Sequence, residues 1–364
     1  MVEDDPLVDT VVADRYRIIR KLAEGGMSAI YEAQHIKLMR SFALKSLLPM
    51  LAHNEEAVQR FQREAELIGG LRHPNVIDIS DWVELPDGTP CMVLEFLHGA
   101  ALQVRLQRGP LPWEAIARIG DQTMSAIALA HRNGITHRDL KPENIFISID
   151  DSGDERVKLL DFGVSKLRGV GRLSGVYRML GTPSYMSPEQ ASGQNDLVGN
   201  STDVWAMGAI LYEMATQQRA FGADTIEDTL ALIQTASPYP IGMLRADANP
   251  AFVDLIDRAL SRDPERRTQT IEELRAGLRT ALEPRNAYRL NTPVAGIPIL
   301  APRAAKTPTV TPFQTSPAAS MAGTMPVQIA VPVAPPKADS RRWLVLAAII
   351  ALVTLVNLVI ALVV

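Results

Sequence analysis

Two hydrophobic patterns divide the central part of the chain into two lobes. Between residues 15 and 98, apolar and polar positions alternate in three segments, which indicates β-strands: "RYRIIRKLAE", "SAIYEAQH" and "SFALKSL". One helix and two further strands follow. From about residue 99 onward, apolar positions recur at helical spacing, as in "PWEAIARIGDQTMSAIALAHRNG". The pattern predicts an α+β chain with a small β-rich lobe over about 16–98 and a larger α-rich lobe over about 99–282.

The helix predicted in the small lobe has end signals in "NEEAVQRFQREAELIGGL". Asn54 is a suitable N-cap, and Gly69 and Gly70 are suitable residues for the carboxy-terminal end. In the larger lobe, "STDVWAMGAILYEMATQQ" is apolar on nearly all sides. Such a pattern is typical of a helix in the centre of a lobe.

One carboxylate interrupts the apolar face of the small-lobe helix. Phe61, Glu64 and Ile68 fall at positions i, i+3 and i+7, so they share one face. A buried carboxylate without a partner is costly, and Lys45 on the preceding strand is the candidate partner. Glu66 is the rival acid, but it points away from this face. We therefore predict a Lys45–Glu64 ion pair.

The two ends of the chain differ from its centre. Residues 1–15 are predicted to be an N-terminal tail. Residues 283–342 are rich in Pro, Ala and Thr, which predicts an extended linker without a core. Residues 343–364 contain no charge. At ~1.5 Å per residue a helix of this segment would be about 33 Å long, enough to cross a bilayer.

This apolar segment predicts a single-pass protein of the inner or plasma membrane. Lys337, Arg341 and Arg342 precede the segment, and basic residues favour the cytoplasmic side. The folded part is therefore expected in the cytoplasm, with a proline-rich juxtamembrane linker and no domain on the far side.

The composition argues against some classes of protein. A formal net charge of −4 is not that of a general nucleic-acid binder. The one cysteine, Cys91, allows no intramolecular disulfide, which fits a reducing compartment. The acidic start "MVEDDPLVDT" lacks the basic region of a secretory signal.

Two short polar stretches carry the candidate chemistry. The first, "GITHRDLKPENIFI", places His137, Arg138, Asp139, Lys141 and Asn144 within eight positions. The second, "LLDFGVSK", contains Asp161 and Phe162. One exposed Asp or Lys on a loop is usually only solvated, but this combination indicates a reaction centre.

With "FALK" upstream and "GTPSYMSPEQ" downstream, these stretches resemble, in order and spacing, the motifs of protein kinases over about residues 16–282. The details are similar to the bacterial eukaryotic-like (Hanks-type) serine/threonine kinases. The resemblance implies the two-lobed protein kinase fold and binding of ATP with Mg²⁺, with Mn²⁺ as a second candidate. It also implies transfer of the γ-phosphoryl group to Ser or Thr hydroxyls of proteins, and to the chain itself.

The resemblance assigns roles to the residues of both stretches. Asp139 would accept or orient the proton of the substrate hydroxyl, and Lys141 would neutralise charge on the phosphoryl group. Asn144 and Asp161 would supply the oxygen ligands of the metal. The Lys45–Glu64 pair would hold the α- and β-phosphates.

The nucleotide would lie between the lobes, under "KLAEGGMSAIYEAQ". Against the glycine pattern of such loops, the framework positions read Ala23, Gly25 and Ser28. We expect Ala23 to stiffen the loop and weaken ATP binding modestly, and we expect a positive φ at the tip. The resemblance implies further ATP contacts, with Leu94 as gatekeeper: Leu22, Ala23, Glu24, Gly25, Gly26, Met27, Ser28, Ala29, Ile30, Ala43, Glu95, Leu97 and Phe146.

Other family positions imply structural or regulatory roles. Ile68, His137 and Phe162 would stack on one another, anchored by Asp203 near the start of the apolar helix. Glu189 and Arg267 would form a buried ion pair.

The activation segment departs from the family pattern, because no threonine lies between residues 163 and 181. Ser174 is the candidate phosphorylation site, and Arg138 would receive its phosphate. Thr182 would lie close to Asp139.

Three alternatives remain open beside a membrane-tethered kinase. A pseudokinase scaffold is favoured slightly by Ala23, Ser28 and the missing threonines, but the intact catalytic residues oppose it. A small-molecule kinase is opposed by the "GTPSYMSPE" segment. The linker is a third candidate, as a binding site for other proteins. The expected partners are protein substrates, the membrane and a second copy for trans-autophosphorylation, and no nucleic acid.

Overall fold

The computed structural model describes residues 5–150, 152–162 and 183–283. These residues form a β-rich amino-terminal lobe and a helical carboxy-terminal lobe, as the hydrophobic pattern predicts. Both lobes belong to one unit, Met1–Leu290. The predicted linker beyond residue 283 and the apolar segment 343–364 lie outside the described residues.

One antiparallel sheet forms most of the amino-terminal lobe. Its strands are β1 (Val11–Val12), β2 (Tyr16–Glu24), β3 (Ser28–His35), β4 (Ser41–Leu47), β5 (Ile79–Glu84) and β6 (Pro90–Glu95). They pair in the order β1-β2-β3-β4-β6-β5. Alternate residues of β3 are buried, namely Ala29, Tyr31 and Ala33. The sheet therefore buries one face, as the alternation of β2, β3 and β4 predicts.

The edge strand β1 belongs to the segment that the sequence pattern assigns to an N-terminal tail. The Asp9 N–H donates to the Ile18 carbonyl, and the Ile18 N–H donates to the Thr10 carbonyl, both at 2.9 Å. Val12 is only 1% exposed. Val11–Val12 therefore extends the sheet as an edge strand, within the segment predicted to be a tail.

Helix α1 (Glu55–Gly70) packs against this sheet. Its N-cap is Asn54, whose side-chain oxygen accepts the Ala57 N–H at 2.9 Å, as predicted. Phe61 and Ile68 are buried, which fixes the rotation of the helix. The helix includes both glycines expected to end it and stops directly after the second one.

Helices dominate the carboxy-terminal lobe. They are α2 (Leu102–Leu106), α3 (Trp113–Arg132), α4 (Pro188–Ala191), α5 (Asn200–Thr216), α6 (Ile226–Thr235), α7 (Ile241–Leu244), α8 (Pro250–Ala259) and α9 (Ile271–Leu282). Helix α5 is buried on nearly every side, including Trp205 and Tyr212, and packs against α3, α8 and α9. The all-round apolar pattern of α5 predicts this central position.

A small sheet positions the polar loops at the boundary between the lobes. Its strands are β7 (Gly99–Ala101), β8 (Ile145–Ile149) and β9 (Glu155–Leu159), paired in that order. The loop after α3 enters β8, and β9 leads directly to Asp161. Leu159 also forms a parallel bridge with Val76 of the amino-terminal lobe. The two polar stretches therefore lie side by side.

Two further features concern the chemistry of the environment. Cys91 lies in β6 and is fully buried, and burial raises the pKa of its thiol to about 12. Among the described residues, no helix has both the length and the apolar character needed to cross a membrane.

Candidate active site

The loop after α3 is held in shape by one buried carboxylate. Asp203 of α5 accepts the backbone N–H groups of His137 and Arg138 at 2.8 and 2.9 Å. Arg138 has a φ of 65°, a left-handed conformation that is costly for a non-glycine residue. Two hydrogen bonds to a buried carboxylate can hold such a conformation. Asp203 thus anchors the loop that presents Asp139, as the family resemblance implies.

Asp203 also binds a residue that the sequence reading missed. The His131 Nε2 atom lies 2.8 Å from the Asp203 Oδ2 atom. His131 belongs to the last turn of α3, so this contact joins α3, α5 and the loop. In the sequence, His131 is a single polar residue near the end of a helix, and nothing in that pattern indicates a partner on another helix.

The catalytic candidates lie together on this loop. The Lys141 Nζ atom donates to the Asp139 Oδ2 atom at 2.9 Å, and both side chains are about one-quarter exposed. The Asn144 amide nitrogen donates to the Asp139 carbonyl at 2.9 Å. These contacts present the Asp139 carboxylate and the Lys141 ammonium on the same side of the loop, where a substrate can reach them.

Lys45 bridges two carboxylates from different elements. Its Nζ atom lies 2.8 Å from Glu64 of α1 and 2.7 Å from Asp161 after β9. The structure therefore contains the predicted pair and adds a third member. Glu66, the rival acid, instead accepts a hydrogen bond from Gln62 at 3.0 Å.

Burial and charge oppose each other in this triad. Burial lowers the pKa of Lys45, but Asp161 and Glu64 attract its charge and raise the pKa above its usual range. Burial raises the pKa of Glu64 to about 7, despite the attraction of Lys45. For Asp161, the attraction of Lys45 outweighs burial and lowers the pKa. Asp161 is thus the carboxylate that stays ionised at neutral pH.

An apolar cavity of about 520 Å³ lies on one side of Lys45. Its lining includes Leu94, the predicted gatekeeper, and seven of the expected ATP contacts: Leu22, Ala23, Ile30, Ala43, Glu95, Leu97 and Phe146. A flat heterocycle suits such a cavity, because apolar side chains come from both lobes.

The Glu95 side chain is tied down at the edge of this cavity. It accepts the Asp78 N–H at 2.9 Å and a short hydrogen bond from Lys158 of β9. Lys158 is only 14% exposed and also donates to the Val76 carbonyl. The side chain of Glu95 is therefore occupied, and the Glu95 N–H donates to the Asp78 carbonyl at 3.0 Å, so a ligand at this edge would bond the other backbone groups of the 95–97 segment. The sequence reading did not predict the Lys158 contact.

A second cavity, of about 310 Å³, lies on the other side of Lys45. It joins the glycine-rich loop to the catalytic candidates, and its lining includes Gly25, Gly26, Met27, Ser28, Glu64, Asp139, Lys141 and Asp161. Two of the expected loop contacts, Glu24 and Ala29, are not in either lining. The Ala29 side chain is buried in the sheet, and Glu24 pairs with Lys21.

The backbone of the glycine-rich loop differs from expectation at its tip. Positive φ values were expected at Gly25 and Gly26, but neither residue has one. The Gly25 N–H donates to the Ser28 carbonyl at 2.8 Å, which closes the turn without a left-handed residue. Ala23 pairs with Ile30 inside the β2–β3 hairpin. Alanine is accepted there because the backbone is extended.

The His137–Phe162 part of the predicted stack is present behind the site. The rings of His137 and Phe162 lie 5.0 Å apart, and these residues and Ile68 are all at most 3% exposed. Burial lowers the pKa of His137, so its ring is neutral at physiological pH. The Asp203 carboxylate anchors this stack through the His137 backbone.

The Glu189–Arg267 ion pair is present below the site. The Arg267 Nη1 atom lies 2.9 Å from Glu189 Oε1, and the second guanidinium nitrogen donates to Oε2 at 3.2 Å. Burial raises the pKa of Glu189, but Arg267 outweighs it and the net pKa is lowered. The Thr202 hydroxyl donates to the same carboxylate at 2.9 Å.

Oxygen donors at the cavity fit a magnesium ion that arrives with its substrate. In the described ranges, no group of three or more His, Cys, Asp or Glu side chains is placed to hold a metal. Asp161 lines both cavities, and Asn144 lies next to it, since the Asn144 carbonyl accepts the Leu160 N–H at 2.9 Å. Mg²⁺ often binds through one or two protein ligands plus phosphate and water. One carboxylate and one amide oxygen are ligands of this kind.

Two regulatory predictions fall outside the described residues, namely Ser174 and Thr182. Their proposed contacts with Arg138 and Asp139 remain predictions. The Arg138 carbonyl accepts a hydrogen bond from Gln190 at 2.8 Å, which ties the loop to α4.

Comparison with known proteins identifies the relatives of this chain. Residues 16–276 match the family model for the protein kinase domain. The chain is 36% identical over 283 residues to the serine/threonine-protein kinase pkn3 of Myxococcus xanthus, covering 76% of this chain and 51% of that protein. It is 34% identical over 287 residues to the serine/threonine-protein kinase PrkC of Bacillus subtilis, covering 78% and 43%. The chain thus spans about half the length of these curated relatives, or less.

A solved structure has the same fold. The Mycobacterium tuberculosis PknI kinase domain superposes with a TM-score of 0.58 at 25% identity. The match covers 75% of this chain and 98% of that domain. The two-lobed architecture of the chain is therefore that of a protein kinase domain.

Proposed function

Because the chain belongs to the protein kinase family, we propose that it is an ATP-dependent serine/threonine protein kinase. Its substrates would be Mg-ATP and Ser or Thr hydroxyls of proteins, including its own. The 34–36% identity to serine/threonine-protein kinases supports this specificity.

One observation carries the proposal: Lys45 lies between the apolar cavity and the polar one, held by Glu64 and Asp161. An ammonium group at that boundary is placed for the phosphates of a nucleotide whose base fills the apolar side. Asp139 and Lys141 line the far side, where a protein hydroxyl would enter.

In the proposed reaction, a bond forms between the hydroxyl oxygen and the γ-phosphorus, and the bond from the γ-phosphorus to the β–γ bridging oxygen breaks. ADP leaves with that oxygen, and the Asp139 carboxylate accepts or orients the hydroxyl proton. Lys141 stabilises negative charge on the phosphoryl oxygens, and Lys45 orients the α- and β-phosphates. Positioning and charge neutralisation are the main requirements of phosphoryl transfer.

Asp161 and Asn144 would hold Mg²⁺ in this reaction. When bound, the ion neutralises phosphate charge and orients the transferred group. The hydrogen bond from the Asn144 amide nitrogen to Asp139 fixes the direction of the amide, and the lowered pKa of Asp161 keeps its carboxylate ionised. Mn²⁺ accepts the same ligands and is the second candidate.

Radiolabelled phosphate transfer tests the proposal directly. Asp139→Asn and Lys45→Met are each expected to reduce autophosphorylation by at least ~10²-fold, the size of effect of losing a general acid–base group or the positioning of a substrate. Both variants should remain folded, as a cooperative thermal unfolding transition would show. Turnover retained in both variants would refute the assignment. A folded wild-type chain that binds ATP without transferring phosphate would instead favour the pseudokinase scaffold.

We also propose that Ser174 is the activating phosphorylation site, with Arg138 as the receptor of its phosphate. The absence of threonine from residues 163–181 supports this choice. Mass spectrometry of active protein and a Ser174→Ala variant test it. Full activity of the alanine variant would exclude the role.

The membrane location is a further proposal, supported by the uncharged segment 343–364 and by Arg341 and Arg342 before it. Leu352→Arg with Leu355→Arg should release the chain from the membrane fraction, since each arginine costs ~3 kcal/mol at the centre of a span. Thr354→Ser is the matched control and should remain in the membrane fraction. Release of the wild type by salt alone would contradict a spanning segment.

A further inference from the structure

The segment of residues 5–15, which we call the N-terminal strap, is bound to the amino-terminal lobe by its backbone. It precedes residue 16, where the family match begins. Beside the β1–β2 pairing, the Ile36 N–H donates to the Arg15 carbonyl at 2.8 Å. Leu7 also packs against the core of the sheet. The strap is therefore an addition to the matched domain with a defined position on it.

Asp5 is the centre of the side-chain contacts of the strap. Its carboxylate accepts the Leu7 N–H at 3.1 Å, the Tyr31 hydroxyl at 3.1 Å and the Lys21 ammonium at 3.1 Å. The Asp5 side chain is 15% exposed. Burial raises the pKa of Asp5, but these three donors outweigh it and lower the pKa. At neutral pH Asp5 is therefore ionised, and its carboxylate has three donors.

The two side-chain donors stand at the base of the glycine-rich loop. Lys21 of β2 and Tyr31 of β3 are directly paired across the hairpin, and the Lys21 ammonium lies 5.9 Å from the centre of the Tyr31 ring. Lys21 also forms an ion pair with Glu24, the residue before Gly25. A continuous chain of contacts therefore runs from Asp5 through Lys21 to the entry of the loop.

Backbone hydrogen bonds outside the strand ladders hold the tip of the loop. The Gly25 N–H donates to Ser28, and the Leu48 N–H donates to the Met27 carbonyl at 3.0 Å. The β2–β3 register also shifts between Lys21 and Ala23, so the ladder is irregular where the loop begins. At an irregular hairpin end, a contact from outside the hairpin affects the conformation of the loop.

We propose that Asp5 is a positioning residue for the glycine-rich loop, and that the N-terminal strap thereby sets the affinity for the nucleotide. The effect on nucleotide binding rests on the proposed kinase function, whereas the effect on the loop does not. Exposed ion pairs contribute little singly, but Asp5 combines an ammonium, a phenol and a backbone donor in one partly buried place. The loss of this cluster should loosen the loop without unfolding the lobe.

Amide hydrogen exchange of the 364-residue chain without nucleotide tests the positional claim. Asp5→Asn should speed exchange of the amides of residues 21–29 by about threefold to tenfold, as expected for the loss of charged hydrogen bonds. Asp9→Asn is the matched control, because it removes the same charge from the same strap at an exposed position. It should leave this exchange unchanged.

A second variant tests whether Asp5 acts on the loop through Lys21 and Tyr31. In a Lys21→Met/Tyr31→Phe variant, both side-chain donors to Asp5 are lost, so Asp5→Asn should add little further exchange. An undiminished increase in that background would overturn the contact chain. Unchanged exchange of residues 21–29 in the single Asp5→Asn variant would overturn the proposal as a whole.

Binding of a fluorescent ATP analogue separates this proposal from the proposed function. The Kd of Asp5→Asn should rise about threefold to tenfold, and that of Asp9→Asn should not. An equal Kd for Asp5→Asn and wild type would refute the effect on affinity. Failure of the wild type to bind the analogue would count against the kinase function, while the exchange data would still decide the role of Asp5.

Discussion

Glu64 holds its proton to an unusually high pH, since burial raises its pKa from the ordinary value of 4.5 to about 7. Between these two values the folded state binds more protons than the unfolded state, so the free energy of unfolding falls as pH rises. The pKa of Asp161 is lowered and that of Lys45 is raised, so both titrate outside this window.

We therefore predict that Glu64→Gln gains stability relative to the wild type as pH rises from about 4.5 to 7. The difference should be on the order of 1–3 kcal/mol. Thermal or urea unfolding at several pH values, without nucleotide, measures it. Parallel pH profiles of the two proteins would contradict the assignment of this proton to Glu64.

The buried guanidinium of Arg267 leads to a second prediction at this scale. Arg267→Met leaves Glu189 buried without its cation and should cost about 3–5 kcal/mol of unfolding free energy. Adding Glu189→Gln should recover part of the loss, because the unpaired charge is then removed. Arg266→Met is the control, since Arg266 is largely exposed. A loss below 1 kcal/mol for Arg267→Met would be inconsistent with the geometry.

Among the elements, the end of α5 is strained at one residue. Gln217 has a φ of 62° in the left-handed region, where its N–H donates to the Glu213 carbonyl at 2.7 Å. Its side chain is exposed. Gln217→Gly should therefore raise stability by about 0.5–1 kcal/mol, because glycine adopts this conformation without steric cost. Urea unfolding measures the gain. Gln218→Gly, one residue later, should lose stability, and a gain there would argue against the conformational explanation.

The elements also indicate what the amino-acid pattern can predict. The cap at Asn54 and the phase of α1 were predictable, because capping chemistry and helical spacing are local signals. Glu64 could be matched to Lys45 for the same reason. β1 was not predictable, because Val11 and Val12 are too short a run to show a period.

The contacts that the sequence reading missed join distant parts of the chain. Lys158 on β9 binds Glu95, and His131 on α3 binds Asp203. Each is a common polar residue on a regular element, and its role depends on where the partner strand or helix lies. The backbone at the tip of the glycine-rich loop also differs from the prediction, because the Ser28 carbonyl accepts the Gly25 N–H and closes the turn without a positive φ.

For the whole molecule, the described core ends with α9. Leu274, Leu278 and Ala281 are its last buried apolar residues, and none is more than 4% exposed. We predict that truncation after Glu283 changes the melting temperature by less than ~2 °C. Truncation after Thr270 removes α9 and should prevent stable folding, since it exposes the face of α3 that α9 covers. If the fragment that ends at Glu283 did not fold stably, the linker would have to contribute to the core.

The single thiol of the chain has a practical consequence. Cys91 is fully buried in β6 with its pKa raised to about 12, so it carries almost no thiolate at neutral pH. Alkylating probes should leave the native chain unlabelled. A cysteine introduced at an exposed position, such as Arg266, would then be the one site that takes a dye or spin label. The molecule is thus ready for single-site spectroscopy without the removal of a native cysteine.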